Sequence, residues 1–253
     1  MTRFVYGLNP VLEALKAHPQ DVVRVLLERG RDGRRSHGGE RVAEAAAAAG
    51  VRVEDAAHGD LDRRSRGGVH QGVGAELAEF RYAELPDLLD AAGARGEAPL
   101  LLLLDGVTDP QNLGALVRSA HALGAHGVVV PKDRAAGVTP AVFKAAAGAL
   151  EHCAIARVTN LSRAIDDLKS ERIWSVALAA DGERELQEID LTGPTALVLG
   201  SEGKGVRPLV RKTCDHAGRI PMAAGVGSLN VAAAGAVALY EAARQRRRSG
   251  KAS

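Results

Sequence analysis

Apolar positions fall into short runs that change period along the chain. In "NPVLEALKAH" (Asn9 to His18), Val11, Leu12 and Leu15 share one helical face behind an Asn/Pro start, which predicts a short helix. "VVRVLLE" reads as a strand, the alanine-rich "ERVAEAAAAAG" as a helix ending at Gly50, and "VRVED" and "VHQGVGAEL" as further strands. From Ala78 to Pro99 the chain turns polar and alanine-rich, with one short helix expected from Pro86 to Ala92. The change of pattern places a domain boundary here.

From Leu100 the units lengthen. "LLLLDGV" is a continuous apolar strand, as expected of a parallel sheet covered on both faces. A helix over Leu113 to Leu123 and the strand "GVVVP" follow it. Then come a helix from Pro140 to Leu150, the strand "CAIARV", a helix from Leu161 to Lys169, and the strands "WSVALAA" and "TALVLG". "AGRIPM" is a short last strand and "SLNVAAAGAVALYEAARQR" a long closing helix. The fold class is α/β, with about five or six strands in this second domain.

Charge changes the picture only locally. Lys and Arg number 33 against 31 Asp and Glu, a net +2, so overall charge barely argues for a polyanionic partner. Basic residues nevertheless cluster at "RGRDGRR", "RRSR" and "RQRRRSGK", each suited to phosphates or simply to solvent. The two cysteines, Cys153 and Cys214, have no metal-ligand or disulfide-framework spacing, so no metal site is expected and a reducing cytoplasm fits. The longest apolar run, Ala98 to Leu104, is too short for a bilayer, so no membrane association is expected.

Candidate chemistry lies in loops after the strands: "DGVTDPQNLG", "LGSEGKGVRPL" and "IPMAAGVGSLN". Ligands of open α/β sheets bind outside the carboxyl ends of strands. None of the loops matches a dinucleotide or Walker-type fingerprint, and Ser228 is not in a nucleophile elbow. Asn112 is positioned to cap the helix beginning at Leu113. Arg118, six positions on, is surrounded by apolar residues in sequence. If buried it needs a partner, for which Glu202 is the best carboxylate, either as a structural pair or as part of a site.

"DPQNLGALVRSA", "LVLGSEGKGVRPL" and "IPMAAGVGSLNVAAAGAVALYE" resemble, in order and spacing, the three motifs of the SpoU/TrmH family of RNA ribose 2′-O-methyltransferases, which have the SPOUT α/β-knot fold. "VYGLNPVLEAL" and "VHQGVGAEL" resemble the L30e-like substrate-binding domain of the bacterial 23S rRNA guanosine methyltransferases in that family. The resemblance implies an L30e-like RNA-binding domain over residues 1–76, a linker over 77–98 and a catalytic domain over 99–253 with a deep C-terminal trefoil knot.

It also implies S-adenosylmethionine as cofactor, held by Leu199, Gly200, Ile220, Met222, Ser228 and Leu229, and a homodimer whose interface packs against the site. Asn112, Arg118, Glu202, Ser228 and Asn230 match the family's catalytic polar residues, while Ala232 stands where a small polar residue is common. Arg118 either removes the ribose hydroxyl proton or orients the phosphate that does. The expected substrate is a guanosine in 23S rRNA. The alternatives are another rRNA nucleoside, including the adenosine whose methylation gives thiopeptide resistance, a tRNA, or a non-catalytic RNA-binding assembly role.

Overall fold

The computed structural model describes residues 2–30, 33–57, 59–78, 80–223 and 227–250. Parts of the first basic loop (31 and 32), the third motif loop (224–226) and the basic tail (251–253) lie outside the described residues. The chain divides into two compact units, residues 1–81 with 138–152, and residues 82–137 with 153–253.

The first unit contains β1 (Thr2–Tyr6), α1 (Leu8–Ala17), β2 (Val22–Glu28), α2 (His37–Ala48), β3 (Val53–Ala56), α3 (Asp60–Ser65) and β4 (Val73–Ala78). Its sheet has the order β1-β4-β2-β3, antiparallel except for the β2–β3 pair. β4 buries Val73, Ala75 and Leu77, and α1 and α2, which pack on it, bury Val11, Leu15 and Val42. Ser36 starts α2 by accepting a hydrogen bond from the Gly39 amide at 3.1 Å. Much of the local basic charge is neutralised internally. Arg29 and Arg35 share Asp55, Arg24 forks onto Glu76, and Arg63 and Arg64 meet Asp60.

In the second unit, α4 (Leu85–Ala94) precedes β5 (Leu100–Asp105), α5 (Pro110–Ala122) and β6 (Gly127–Pro131). The next helix, α6 (Pro140–Ala146), belongs to the first unit. The chain continues with β7 (Ile155–Val158), α7 (Leu161–Ser170), β8 (Trp174–Leu178), β9 (Arg184–Glu185), β10 (Thr195–Gly200), α8 (Pro208–Thr213), β11 (His216–Arg219) and α9 (Val231–Arg248). All seven strands are parallel, in the order β7-β6-β5-β10-β8-β11-β9.

The five leucines of β5 are fully buried because the strand is flanked on both edges and covered on both faces. Leu101 and Leu103 share a core with Leu88 of α4, Ile165 of α7 and Val210 of α8, whereas α5 and α9 pack together elsewhere in the unit. Gly235 permits that packing: a Cβ built on it would lie 2.3 Å from Leu116 Cδ2. At 18 residues, α9 is about 27 Å long. It starts beside the β10 loop and ends where the buried Arg246 guanidinium donates to the carbonyls of Ala98, Pro99, Leu191 and Gly193. One helix thus ties the two ends of the central strands together.

Candidate active site

β5 delivers the chain to the first loop at Asp105, and α5 begins at Pro110. The cap is Asp109, whose Oδ1 accepts from the Gln111 amide at 2.8 Å. Asn112 is therefore inside the first turn and does not cap the helix. Its buried amide turns to other partners. Nδ2 donates to Glu202 Oε1 at 2.8 Å and, more weakly, to Asp109 Oδ2 at 3.4 Å.

Asn230 makes the third side of this cluster. Its Oδ1 accepts from the Ala232 and Ala233 amides and so caps α9. Its Nδ2 donates to Glu202 Oε1 at 2.7 Å and to Asn112 Oδ1 at 3.1 Å. Both amide hydrogens of each asparagine are used, which fixes how the two side chains are turned. One carboxylate oxygen, Glu202 Oε1, thereby joins all three motif loops.

Beside it opens a cavity of about 850 Å³ within the second unit. Leu199, Gly200, Ile220, Met222, Ser228 and Leu229 all line it, together with Glu202 and Asn230. The residue type at position 200 is dictated by backbone. A Cβ there would lie 1.8 Å from the Gly205 carbonyl carbon and 2.0 Å from the Val206 amide nitrogen. The loop that makes this approach is closed by reciprocal hydrogen bonds between Ser201 and Gly205, at 3.2 and 2.9 Å. The lining also includes Asp181, held below the usual carboxylate range by Arg211, whose Nη1 donates to both carboxylate oxygens at 2.8 and 2.9 Å.

Arg118 stands apart. It is exposed, does not line the cavity and has no hydrogen-bond or ion-pair partner among the described residues. The expected pairing of Arg118 with Glu202 is therefore corrected: Glu202 accepts from two asparagine amides instead. The buried stripe of α5 runs through Asn112, Leu113, Leu116, Val117 and Ala120, and six residues of helix carry Arg118 roughly 120° away from Asn112. Ser228 lines the cavity but is exposed and unpartnered among the described residues.

Asp105 and Arg207 were not expected from the sequence. The Asp105 carboxylate is wholly buried and accepts from the Arg207 amide at 2.7 Å, from its Nε at 2.6 Å and from its Nη2 at 2.5 Å. This clamp fixes the far end of the cavity-lining loop at Arg207. The signal was present: an acidic residue directly after a fully buried leucine run must be paired. Among the described residues no three His, Cys, Asp or Glu side chains converge as a metal site. Cys153 and Cys214 are free thiols, each pushed up to about 12 by burial. No described helix is long and apolar enough to cross a membrane.

Known proteins supply the comparison for this geometry. Residues 99–240 match the model of the SpoU rRNA Methylase family, and residues 4–83 match that for RNA 2′-O ribose methyltransferase substrate binding. The chain is 45% identical over 242 residues to the 23S rRNA (guanosine-2′-O-)-methyltransferase RlmB of Coxiella burnetii, covering 96% of this chain and 95% of that protein. The SpoU methyltransferase AviRb from Streptomyces viridochromogenes, solved with its cofactor AdoMet, superposes with a TM-score of 0.80 at 29% identity, covering 97% of this chain and 90% of its own. The TrmH/SpoU tRNA modifying enzyme of A. aeolicus aligns with only 66% of this chain and 85% of its own, with a TM-score of 0.56 at 28% identity. The meeting of three motif loops at Glu202 and the match of both units place the chain plainly: it belongs to the SpoU family of RNA 2′-O-ribose methyltransferases, with an α/β-knot catalytic domain and an N-terminal substrate-binding domain.

Proposed function

We propose that the protein transfers a methyl group from S-adenosylmethionine to the ribose 2′-hydroxyl of a guanosine in 23S rRNA, acting as a homodimer in the cytoplasm. The observation that carries the reading is the cavity edged by Glu202 and Asn230, where all three motif loops meet. Near-complete alignment with the Coxiella guanosine methyltransferase, against partial alignment with the A. aeolicus tRNA modifying enzyme, supports an rRNA target over tRNA.

The cavity suits the cofactor. Its volume lies within the range of pockets that enclose small ligands, and Leu178, Leu199, Ile220 and Leu229 offer apolar surface to a nucleoside. The Gly200 approach leaves main-chain groups of residues 200–206 on the wall. Glu202, whose hydrogen-bonded partners are neutral amides, adds negative charge beside a cationic ligand. The bound cofactor supplies an electrophilic methyl group on a sulfonium sulfur. The chain holds the acceptor hydroxyl in line and directs its proton away, because a ribose hydroxyl is a poor nucleophile at neutral pH. Asn112, Glu202 and Asn230 fix the loops that set this alignment.

Arginine keeps its proton in proteins, so Arg118 acts as a fork for an RNA phosphate, which takes up the hydroxyl proton. Its exposure and its angle away from the cavity on α5 support a dimer in which one subunit offers Arg118 to its partner's site. Val237 and Tyr240, exposed three residues apart on α9, supply apolar surface for that interface.

The test is transfer of labelled methyl from S-adenosylmethionine to unmodified 23S rRNA, 16S rRNA and tRNA, with the product nucleoside mapped. A single 2′-O-methylguanosine in 23S rRNA is expected; methyladenosine there, or label in tRNA, overturns the target. Arg118→Ala is expected to bind cofactor normally and to lose transfer, and normal methylation by that variant refutes the role.

A further inference from the structure

Cations gather at the carboxyl ends of β6 and β7, next to the strand that delivers Asn112. Lys132 and Arg134 follow β6 directly, are exposed, and have no hydrogen-bonded or ion-paired side-chain partner among the described residues. Arg157 lies in β7 opposite Val130. It stacks 4.9 Å over the Tyr82 ring and donates from Nη2 to the Lys132 carbonyl at 3.2 Å, which holds its guanidinium in place with other N–H groups still to spend.

The segment carrying these residues is attached to the catalytic loops. Ala136 donates its amide to the Val107 carbonyl at 2.9 Å, in the loop that leads into α5. A Cβ built on Gly106 would touch the Arg134 carbonyl oxygen at 4.0 Å on one side and Ser201 Cβ at 3.6 Å on the other. Ser201 precedes Glu202, so Arg134 and the asparagine–glutamate cluster flank the same glycine. Adjacent strands of a sheet lie about 5 Å apart, and β7, β6, β5 and β10 are consecutive, so their carboxyl ends form a path roughly 15 Å long. That length suits two or three nucleotides of an extended backbone.

Arg134 also holds a left-handed backbone conformation, φ 58°, unfavourable for a residue with a Cβ. It is kept although Asp133 is the one acidic side chain within this turn and neither neighbouring cation pairs with it. Elsewhere in the unit, Arg207, Arg211, Arg219 and Arg244 each have a carboxylate, while Arg118, Arg163 and Arg172, like Arg134, have none among the described residues; what sets Lys132 and Arg134 apart is their place beside the loop that leads to Asn112.

We propose that Lys132, Arg134 and Arg157 form a phosphate-binding track on the catalytic unit itself, which grips the RNA backbone flanking the target nucleotide and leads it to the cluster of Asn112, Glu202 and Asn230. The ligand class, RNA phosphodiester, rests on the methyltransferase reading above. The track adds backbone contacts that hold the target strand in register, while base identity is read elsewhere.

The experiment is filter binding of labelled unmodified 23S rRNA transcript by the full chain across a salt series. Cofactor affinity is measured in parallel by calorimetry. The Lys132→Ala/Arg134→Ala double variant is expected to bind RNA roughly tenfold more weakly near 0.1 M salt. Its slope of log affinity against log salt should be shallower by about 1.5, two lost phosphate contacts, with cofactor affinity unchanged. Arg157→Gln should lower the slope by about 0.7–0.9, and Lys132→Arg/Arg134→Lys should restore it. An unchanged slope in the double variant, or wild-type protein that binds no RNA, overturns the track. A slope lost in the variant supports the track even where wild-type protein transfers no methyl, an outcome that refutes only the methyltransferase reading.

Discussion

Gly200→Ala probes the cavity through its tightest point. The added methyl would sit 1.8 Å from the Gly205 carbonyl carbon and 2.0 Å from the Val206 amide, where ordinary contact begins at 3.4 Å. Both neighbours are main chain, so no side chain can swing aside. The 201–206 loop must move as a body, and its far end is pinned at Arg207 by Asp105. Displacement breaks the two Ser201–Gly205 hydrogen bonds, at about 1 kcal/mol each, and overpacking adds about 1–2 kcal/mol. Because the cavity wall regains its shape only if binding presses the displaced loop back, this cost, near 3 kcal/mol, opposes binding and weakens cofactor affinity by up to roughly 150-fold. Calorimetric titration with S-adenosylmethionine measures this, and thermal unfolding shows whether the rest of the fold survives. Gly235→Ala is the comparison in which side chains rather than main chain must give: its added methyl would meet Leu116 Cδ2 at 2.3 Å and Cδ2 of the cavity-lining Leu199 at 3.1 Å, so it should cost about 1–2 kcal/mol of stability and weaken cofactor binding less than Gly200→Ala does. A Gly200→Ala protein that binds cofactor within about twofold of wild type and melts at the same temperature would show that this approach does not shape the site.

Three further outcomes are expected. Glu202→Ala removes the acceptor shared by two asparagine amides; because the carboxylate is exposed, stability falls by only about 1 kcal/mol, while misalignment of the loops lowers single-turnover methylation by roughly 100-fold. Arg246→Met leaves four buried-end carbonyls without their donor and should cost about 3 kcal/mol, a drop of roughly 6–12 °C in midpoint by calorimetric melting. Burial lowers the pKa of His126, whose Nδ1 accepts from the Leu100 amide and whose other nitrogen faces Glu97, so the folded state takes up this proton less readily than the unfolded chain. Its contribution is therefore complete above about pH 6.5 and is lost as pH falls toward the depressed folded value; urea midpoints between pH 7.5 and 5.5 should drop in wild type and drop less in His126→Gln.

The second unit was legible through its central strands β5, β6 and β10, which are buried along their whole length. Leu100 to Leu104 can be nothing but a central strand once both faces are covered, and observed β5 and β6 follow the expected runs. The elements missed lack such a signal. β1 (Thr2–Tyr6) is a short mixed segment made a strand by antiparallel pairing with β4, and β9 has two residues, held by β11. α3 buries only Leu61 and Ser65, too few positions to show a helical period. The helix expected to reach Leu150 stops at Ala146, because Ala147 and Gly148 both turn left-handed, at φ 48° and 92°. No apolar pattern announces that break.

In the site, residue types were easier to read than their partners. An asparagine at a helix start suggests a cap, and Asn230 is one, yet its Oδ1 does that work while its Nδ2 reaches 28 residues back to Glu202 and further to Asn112. A cap therefore does not exhaust an amide, and Asn112 shows the converse, since Asp109 takes the cap and frees it entirely. Arg118 was misplaced by adjacency, its neighbours being apolar along the chain. Turning α5 at 100° per residue puts Gln111, Arg118 and His121 off the stripe that buries Leu113, Leu116 and Val117. With Arg118 on the outside, Glu202 has no ion-pair partner among the described residues and accepts from Asn112 and Asn230 instead; under the proposed function the two side chains would meet one substrate from different directions rather than each other.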